Sequence, residues 1–302
     1  MSAQMEFGVD AGLVCSPQDA EAALTLPVVH ERPVRVFGEA GLPGDGAQRP
    51  DWLAAEVPVA MVFNGVSHAV MMATPDQLEA FALGFALSEG ILDRPEDCRG
   101  MELHTVDSGT AVLPPGVSAV EVRMDISVRC FERLKQRRRS LSGRTGCGVC
   151  GVESLAALDM TPERLPAKPW VPQVDVATVL RAFDVLRARQ WVNAQAGSLH
   201  AAGWANLDGQ LMLVCEDVGR HNALDKLIGA LAHEGRLSEP GFVVLTSRGS
   251  HELVRKCARV GISALATISA PTATGVQLAE LAGVRLWGLC RSPRAILYAA
   301  GA

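Results

Sequence analysis

Two thiols set among glycines are the most reactive feature of the sequence. They are Cys147 and Cys150 in the segment Gly-Cys-Gly-Val-Cys-Gly at positions 146–151. The thiolate is the nucleophilic form of cysteine, and nearby positive charge lowers the pKa of a thiol. The glycines permit backbone conformations closed to other residues, so we expect a loop that can approach a partner closely. A basic stretch precedes the pair and holds Arg129, Arg133, Lys135, Arg137, Arg138, Arg139 and Arg144, opposed by Glu132.

The thiol pair and the basic stretch also have plainer interpretations. A Cys-x-x-Cys pair is often half of a zinc site, but zinc usually needs four ligands, and the sequence has no second Cys-x-x-Cys and no His-x₃₋₅-His. A thioredoxin-like pair would follow a strand in a βαβ unit, whereas this pair follows the basic stretch. We therefore favour reactive sulfur chemistry and expect no metal. The basic stretch fits a solvated helix face, yet its place beside the thiols favours a surface that binds an anion or a partner.

Three predicted strand-to-helix turns form a second group, at residues 216–222, 247–250 and 269–272. In an α/β sheet such turns open at the carboxyl edge of the strands, where ligands usually bind. Helix N-termini offer free amide groups to phosphate, and arginines add charge-assisted hydrogen bonds. The sequence thus predicts nucleotide or pyrophosphate binding by Gly219, Arg220, His221, Asn222 and Arg248. A histidine at a helix start is more often structural than catalytic, so His221 is assigned to binding, and His200 and His251 are weaker candidates.

Composition limits the class of protein that can position these groups. A chain of 302 residues suggests two domains, and 48% hydrophobic residues exclude a disordered chain. The net charge of −5 argues against a general nucleic-acid coat. No apolar run of about 18 residues is present, and the N-terminus lacks the pattern of a secretory signal. Eight cysteines are too few for a disulfide scaffold, so we expect a cytoplasmic protein with reduced thiols.

The order of predicted elements gives an α/β protein with two domains. Residues 1–24 are predicted to be a mobile tail, and residues 25–140 a smaller α+β domain. That domain contains strands at 28–37, 57–63, 66–73, 101–106 and 117–124, an Asn64-Gly65 hairpin turn, and a helix opened by Thr74-Pro75 and stopped near Gly90. Residues 141–174 form the cysteine loop and a proline-rich connector. Residues 175–302 begin with a helix at 176–190 and then alternate strands and helices, which predicts a largely parallel sheet covered by helices.

Several of these segments resemble the family of formate dehydrogenase accessory sulfurtransferases. The matching segments are residues 83–92, 144–153, 215–229, 263–275 and 288–295, and they are collinear from about residue 28 to the C-terminus. The Gly-Cys-Gly-x-Cys-Gly loop combined with Glu-Asp-Val-Gly-Arg-His-Asn is highly specific. Family members usually have an aromatic residue between Ser250 and Glu252, where this chain has His251.

The resemblance implies a fold and a function beyond those read from the residues. The C-terminal domain would be a three-layer α/β/α unit resembling the cytidine-deaminase fold. The protein would accept persulfide sulfur from a cysteine desulfurase and pass it to the bis-molybdopterin guanine dinucleotide form of the molybdenum cofactor, for formate dehydrogenase. Cys147 would hold the persulfide with Cys150 as its partner, and a GDP-like nucleotide would fit the cofactor site. A homodimer is implied, with no nucleic-acid or membrane partner. The implied cofactor-binding segment near the C-terminus is Leu289, Cys290, Arg291, Ser292, Pro293 and Arg294.

Two other functions compete with this interpretation. A zinc nucleotide deaminase needs His-x-Glu ahead of Pro-Cys-x-x-Cys. The histidines before Cys147, at positions 30, 68 and 104, lack the glutamate at that offset, and Gly146 stands in place of the proline. A non-catalytic, cofactor-binding chaperone of formate dehydrogenase is the stronger rival, and it would tolerate replacement of Cys147.

Overall fold

A computed structural model describes residues 26–38, 46–106, 113–114, 116–139 and 160–302. The predicted N-terminal tail and the cysteine loop with Cys147 and Cys150 lie outside the described residues. Within those residues, every helix is too short or too polar to cross a membrane. Strands and helices mix in both halves of the chain, which confirms an α/β protein.

The first half contains a four-stranded sheet and a separate two-stranded ribbon. The ribbon pairs β1 (Val29–Val36) with β2 (Ala47–Ala54), and the sheet has β3 (Val57–Phe63), β4 (Val66–Ala73), β5 (Cys98–Val106) and β6 (Ala119–Ile126) in the order β4-β3-β6-β5. The Asn64-Gly65 turn is confirmed, with φ of 47° and 76°, as a two-residue hairpin requires. The Asn64 amide also exchanges hydrogen bonds of 2.7 and 3.1 Å with the backbone of Ile126, and this fixes the hairpin against β6.

The predicted start of helix α1 (Leu78–Ser88) at Thr74-Pro75 was wrong. The helix follows Gln77, whose φ is 52°. The Thr74 hydroxyl accepts instead from the Val218 N–H at 3.2 Å, and the Thr74 N–H donates to Asp217 at 3.0 Å. The threonine therefore joins the two halves of the chain. The predicted stop is confirmed, because Gly90 has a φ of 67° just beyond the helix.

The basic stretch falls mainly on α2 (Val128–Arg139), and its first arginines do not form an open anion surface. Arg133 pairs with Asp93 at 2.9 Å, and Arg129 pairs with Asp93 and with Asp97. These pairs attach the helix to the segment after α1. The expectation of an anion-binding surface was therefore wrong for Arg129 and Arg133, since their charge is already matched.

The second half builds one six-stranded sheet, in the order β12-β11-β10-β9-β7-β8. Its elements are α3 (Val176–Leu186), α4 (Trp191–Ala196), β7 (His200–Ala205), β8 (Leu211–Asp217), α5 (Arg220–His233), β9 (Phe242–Leu245), α6 (His251–Arg259), β10 (Ala264–Thr267), α7 (Ala273–Ala282), β11 (Arg285–Arg291) and β12 (Arg294–Ala300). Successive residues of β9 face opposite sides: Phe242 and Val244 pack with α3, and Val243 and Leu245 with α5 and α6.

The prediction of a largely parallel sheet was wrong. Strands β9, β10 and β11 run parallel, but β7 is antiparallel to both β8 and β9, and β12 is antiparallel to β11. The cause is that β7–β8 and β11–β12 are joined by short connections, which only antiparallel neighbours permit. Because β7 is antiparallel to both of its neighbours, those neighbours, β8 and β9, run in the same direction as each other. Strand β8 therefore points the same way as β9, β10 and β11.

Helices α1 and α5 join the two halves at very close range. A Cβ placed on Gly84 of α1 would lie 1.7 Å from the Asp225 carbonyl oxygen, and one on Gly229 of α5 would lie 1.8 Å from the Ala80 carbonyl oxygen. Lys256 completes the contact with hydrogen bonds of 2.9–3.0 Å to Asp225 and Ser88. One apolar core runs through this contact and both sheets, so the start of α5 has a fixed position against the first half.

Candidate functional site

The three predicted strand-to-helix turns meet at one edge of the six-stranded sheet. They follow β8, β9 and β10, which end at the same edge because these strands point the same way. The Thr272 N–H donates to the Gly249 carbonyl at 3.0 Å, and the Ser269 N–H donates to the Ser247 carbonyl at 3.4 Å. The second and third turns therefore form one continuous surface, which we call the carboxyl edge (residues 216–222, 246–252, 267–272 and 288–294).

The first turn is held from within by a buried carboxylate. Asp217 is fully buried, and it accepts hydrogen bonds from the Gly219 N–H at 2.8 Å and from the Asn222 amide at 2.9 Å. The fully buried Lys226 pairs with Asp217 at 2.8 Å and also donates to the carbonyls of Thr74 and Glu216. A buried charge is tolerated where it is paired and hydrogen-bonded in this way. The bend at Gly219 therefore has a defined shape before any ligand arrives.

The predicted binding residues of this turn play different parts. The Asn222 side-chain amide donates to Asp217 and, at 2.8 Å, to the Met72 carbonyl, so it links the two halves of the chain. Gly219 has an extended backbone and caps α5. Arg220 and His221 follow as the first helical residues, and their side chains keep about a third and a sixth of their surface exposed.

Glu252 of α6 connects the first turn to the second. Its Oε2 lies 3.2 Å from His221 Nε2 and 3.7 Å from an Arg220 nitrogen, and it accepts from the Ser250 hydroxyl at 2.8 Å. Burial raises the pKa of this carboxyl, but the hydrogen bonds from Ser250 and His221 outweigh it, so the pKa lies below its ordinary value. Glu252 is therefore ionised at neutral pH, and it balances the charge of Arg220.

Two histidines at the carboxyl edge are disposed to be neutral. Burial lowers the pKa of His221, and the charge of Arg220 lowers it further against the opposing effect of Glu252. His200, at the start of β7, has its pKa lowered by burial and then by Arg220, and its Nδ1 lies 3.5 Å from the Thr246 hydroxyl. The Nε of Arg220 is buried and has no hydrogen-bond partner among the described residues.

The second turn places Arg248 in an exposed position at the edge. Glycines let the neighbouring elements come close: a Cβ on Gly275 would lie 2.4 Å from the Gly249 carbonyl oxygen. Helix α7 therefore packs directly on the turn that precedes α6. His251, the position where the resemblance fails, has its Nε2 3.8 Å from Glu252 and without a hydrogen-bond partner in the described part of the chain.

The predicted C-terminal segment lies at the same edge. Leu289, Cys290 and Arg291 end β11, a cis Ser292-Pro293 bond makes the turn, and Arg294 begins β12. The Leu289 N–H donates to the Ser269 carbonyl at 3.2 Å, which joins this segment to the third turn. Residues 291–294 are exposed.

The buried cysteines are poor nucleophiles. Burial raises the pKa of Cys290 to about 12, although its backbone hydrogen bond with Thr267 opposes the shift. Burial has the same effect on Cys215 and Cys257, whose pKa values are also raised to about 12. These thiols are protonated at neutral pH and packed in the core, so the segment 289–294 offers its two arginines and backbone to a ligand.

The structure thus places the predicted residues of the first turn, Arg248 and the C-terminal segment along one edge of the sheet, with β7, β9 and β10 between the first turn and the C-terminal segment. Sequence reasoning missed Asp217, Lys226 and Glu252, which hold the turns in place. Asp217 and Lys226 carried a signal. One lies on a predicted strand and the other on the following predicted helix, both among apolar residues, and opposite charges must be paired when they are buried. Glu252 carried none, since Arg220 and His221, which it joins to the second turn, lie on another helix.

Together these features define an α/β protein whose arginine-bearing sheet edge suits an anionic ligand. A family model described as the FdhD/NarQ family matches residues 54–302. The chain belongs to that family. A relative named sulfur carrier protein FdhD, from Chromobacterium violaceum, is 52% identical over 258 residues, covering 85% of this chain and 92% of the relative. Another of that name, from Burkholderia cenocepacia, is 48% identical over 248 residues, covering 82% and 87%.

A solved structure supports the fold. A crystal structure of a formate dehydrogenase accessory protein from Desulfotalea psychrophila superposes with a TM-score of 0.63 at 22% identity. The superposition covers 90% of this chain and 97% of the other chain. The likeness therefore extends over both halves of the chain.

Proposed function

We propose that this protein carries persulfide sulfur on Cys147 from a cysteine desulfurase to the molybdenum cofactor of formate dehydrogenase. The observation that carries the proposal is the carboxyl edge, where three turns and the C-terminal segment gather Arg220, Arg248, Arg291 and Arg294 in a chain whose relatives are named sulfur carriers. A bis-molybdopterin guanine dinucleotide has two pyrophosphates, and arginines with helix N-termini suit such groups.

The first transfer requires a nucleophilic thiolate. The Cys147 thiolate attacks the terminal sulfur of the desulfurase persulfide and forms a new S–S bond. The desulfurase S–S bond breaks, its cysteine leaves as a thiolate, and the terminal sulfur stays on Cys147 with its proton. Glycines on both sides of Cys147 support this step, because the thiol must enter a second protein's active site.

The second transfer delivers sulfur to the cofactor, which is the substrate here. The S–S bond on Cys147 breaks, Cys147 leaves as a thiolate, and the proton passes to solvent. The two electrons that reduce the sulfane sulfur to sulfide come from the molybdenum of the acceptor. Alternatively, the Cys150 thiolate attacks the inner sulfur on Cys147 and forms a Cys147–Cys150 disulfide. The outer sulfur then leaves as hydrosulfide for the molybdenum, and a cellular dithiol reduces the disulfide.

Other parts of the proposal concern organisation. We assign residues 25–140 and 175–302 to two domains, joined by the cysteine loop and connector at 141–174, and the second domain to a fold like that of cytidine deaminase. The protein would act as a homodimer in the cytoplasm, with desulfurase and formate dehydrogenase as partners.

The decisive variant is Cys147→Ala. Formate dehydrogenase activity is measured in cells that carry only the variant, and GDP binding is measured on the purified protein. We expect loss of activity with GDP binding retained, because the variant leaves every residue that defines the carboxyl edge unchanged. Cys98→Ala is the control, since Cys98 is a half-buried thiol on β5, and it should leave both readouts unchanged. Full activity of Cys147→Ala would contradict sulfur transfer and favour the non-catalytic chaperone.

A further inference from the structure

Two half-buried histidines lie at or beside the first turn of the carboxyl edge. His221 follows Arg220 in α5, and His200 lies on β7 opposite Asp217 in the strand register. The Arg220 charge acts on both imidazoles. The Arg220 side chain keeps about a third of its surface exposed, and its Nε has no hydrogen-bond partner among the described residues. The guanidinium can therefore still donate to a ligand oxygen.

The charged side chains that surround these histidines are paired with one another. Arg220 is balanced by Glu252, and the buried Asp217 is balanced by Lys226. Lys256, which also faces His221 from α6, is paired with Asp225 and Glu89. His251 lies beside Glu252 on the same helix. The ionised groups next to the two imidazoles are thus already paired, whereas Arg248 is exposed at the second turn. A phosphate bound beside Arg220 would gain further positive charge if the imidazoles were protonated.

We propose that His200 and His221 take up protons when a phosphate group binds beside Arg220, so that anion binding at the carboxyl edge is coupled to protonation. This inference rests on the proposed function, because it assumes that the substrate's phosphates lie at this edge. It adds His200 to the binding residues. In this proposal Glu252 positions the His221 ring by its contact with Nε2.

The coupling has a definite sign. Burial lowers the pKa of both histidines below the ordinary value, and a bound dianion stabilises the protonated forms. The bound state then holds more protons than the free state, so affinity falls as pH rises, by up to tenfold per pH unit for each coupled proton. We expect GDP to bind at least tenfold more weakly at pH 8.5 than at pH 6.5.

Calorimetric titration with GDP at pH 7.5, in buffers of different ionisation enthalpy, measures the protons taken up on binding. We expect uptake by the wild-type chain, less in His200→Gln and in His221→Gln, and least in the double variant. The difference between wild type and variant removes the titration of GDP itself. His104→Gln is the matched control, because this histidine pairs with Glu102 on β5, on the other sheet. Guanosine, which lacks phosphates, should bind without proton uptake.

The outcomes separate this inference from the proposed function. Equal proton uptake by the wild type and the double variant, with GDP bound by both, overturns the coupling and leaves the proposed site intact. Uptake with guanosine equal to that with GDP also overturns it. Failure of the wild type to bind GDP at either pH overturns the phosphate site and this inference together. A thermal melt of each variant shows whether it is folded, and the wild-type measurement alone can refute the coupling.

Discussion

The contact between α1 and α5 makes Gly84→Ala the sharpest test of the fold. A methyl on Gly84 would lie 1.7 Å from the Asp225 carbonyl oxygen, and ordinary contact begins at 3.4 Å. To reach ordinary contact the helices would have to move apart by about half of the 3.4 Å contact distance. Because the obstructing atom is backbone, no side-chain rotation can relieve the clash. A gap of even 0.5–1 Å forfeits roughly a quarter to a half of the dispersion energy of the atoms that face it.

We expect Gly84→Ala to destabilise the protein by about 3 kcal/mol, the upper part of the usual range for overpacking. Unfolding entropy is about 2.1 cal/mol/K per residue, so in a chain of 302 residues this corresponds to a fall in Tm of roughly 5 °C. Circular dichroism melts measure the fall. Gly100→Ala is the control, since the nearest atom to its methyl would be the Asp125 carboxylate at 3.9 Å, and its Tm should not change. A Gly84→Ala protein that melts within about 2 °C of the wild type would refute the close packing of these helices.

Three further perturbations test other parts of the structure. Asp93→Asn should cost about 1 kcal/mol at pH 7, after allowance for solvent screening, and much less at pH 2, where about half of the Asp93 carboxyls are protonated. Hydrogen bonds from its arginine partners lower the pKa of Asp93 to about 2, so its stabilisation is full above about pH 3.8 and is lost as pH falls through 2. Urea unfolding at both pH values measures this, and an equal loss at both would be inconsistent with the ion pair. Lys226→Met should cost about 3–5 kcal/mol in the same assay, because it leaves the Asp217 carboxylate buried and unpaired. Lys135→Met, which removes an exposed ion pair, is the control and should cost less than about 1 kcal/mol. Similar losses in the two variants would count against the buried pair. Gly65→Ala should cost about 1 kcal/mol because its φ is 76°, and an unchanged Tm would argue against the hairpin turn.

Much of the fold could be predicted from local patterns. Strands β3 and β4 followed from two apolar runs around Asn64-Gly65, and α5, α6 and α7 from caps and spacing. Strand β2 escaped prediction because Pro50 and Asp51 interrupt its pattern and nearly all its residues are exposed. Strand β12 escaped because the cis Ser292-Pro293 bond turns the chain where the sequence suggests an end.

The remaining errors came from distant contacts. Thr74 carries the pattern of a helix cap, but its hydroxyl and its N–H form hydrogen bonds with residues 144 and 143 positions away, respectively. The local sequence around Arg129 and Arg133 is typical of an anion-binding surface. It does not show that Asp93 and Asp97, more than 30 residues earlier, pair with these arginines in the folded chain. Local pattern predicts that Arg220 and His221 open a helix at the sheet edge, but only the folded chain shows Glu252 and His200 beside them.

The central claim is that Cys147 accepts a transferable sulfur atom. The purified protein is incubated with a cysteine desulfurase and cysteine, digested under non-reducing conditions, and analysed by mass spectrometry. We predict a peptide containing Cys147 that is heavier by one sulfur atom, whose extra mass is removed by a thiol reductant and is absent without desulfurase. Sulfur found only on another cysteine, or no gain in mass, would contradict the account.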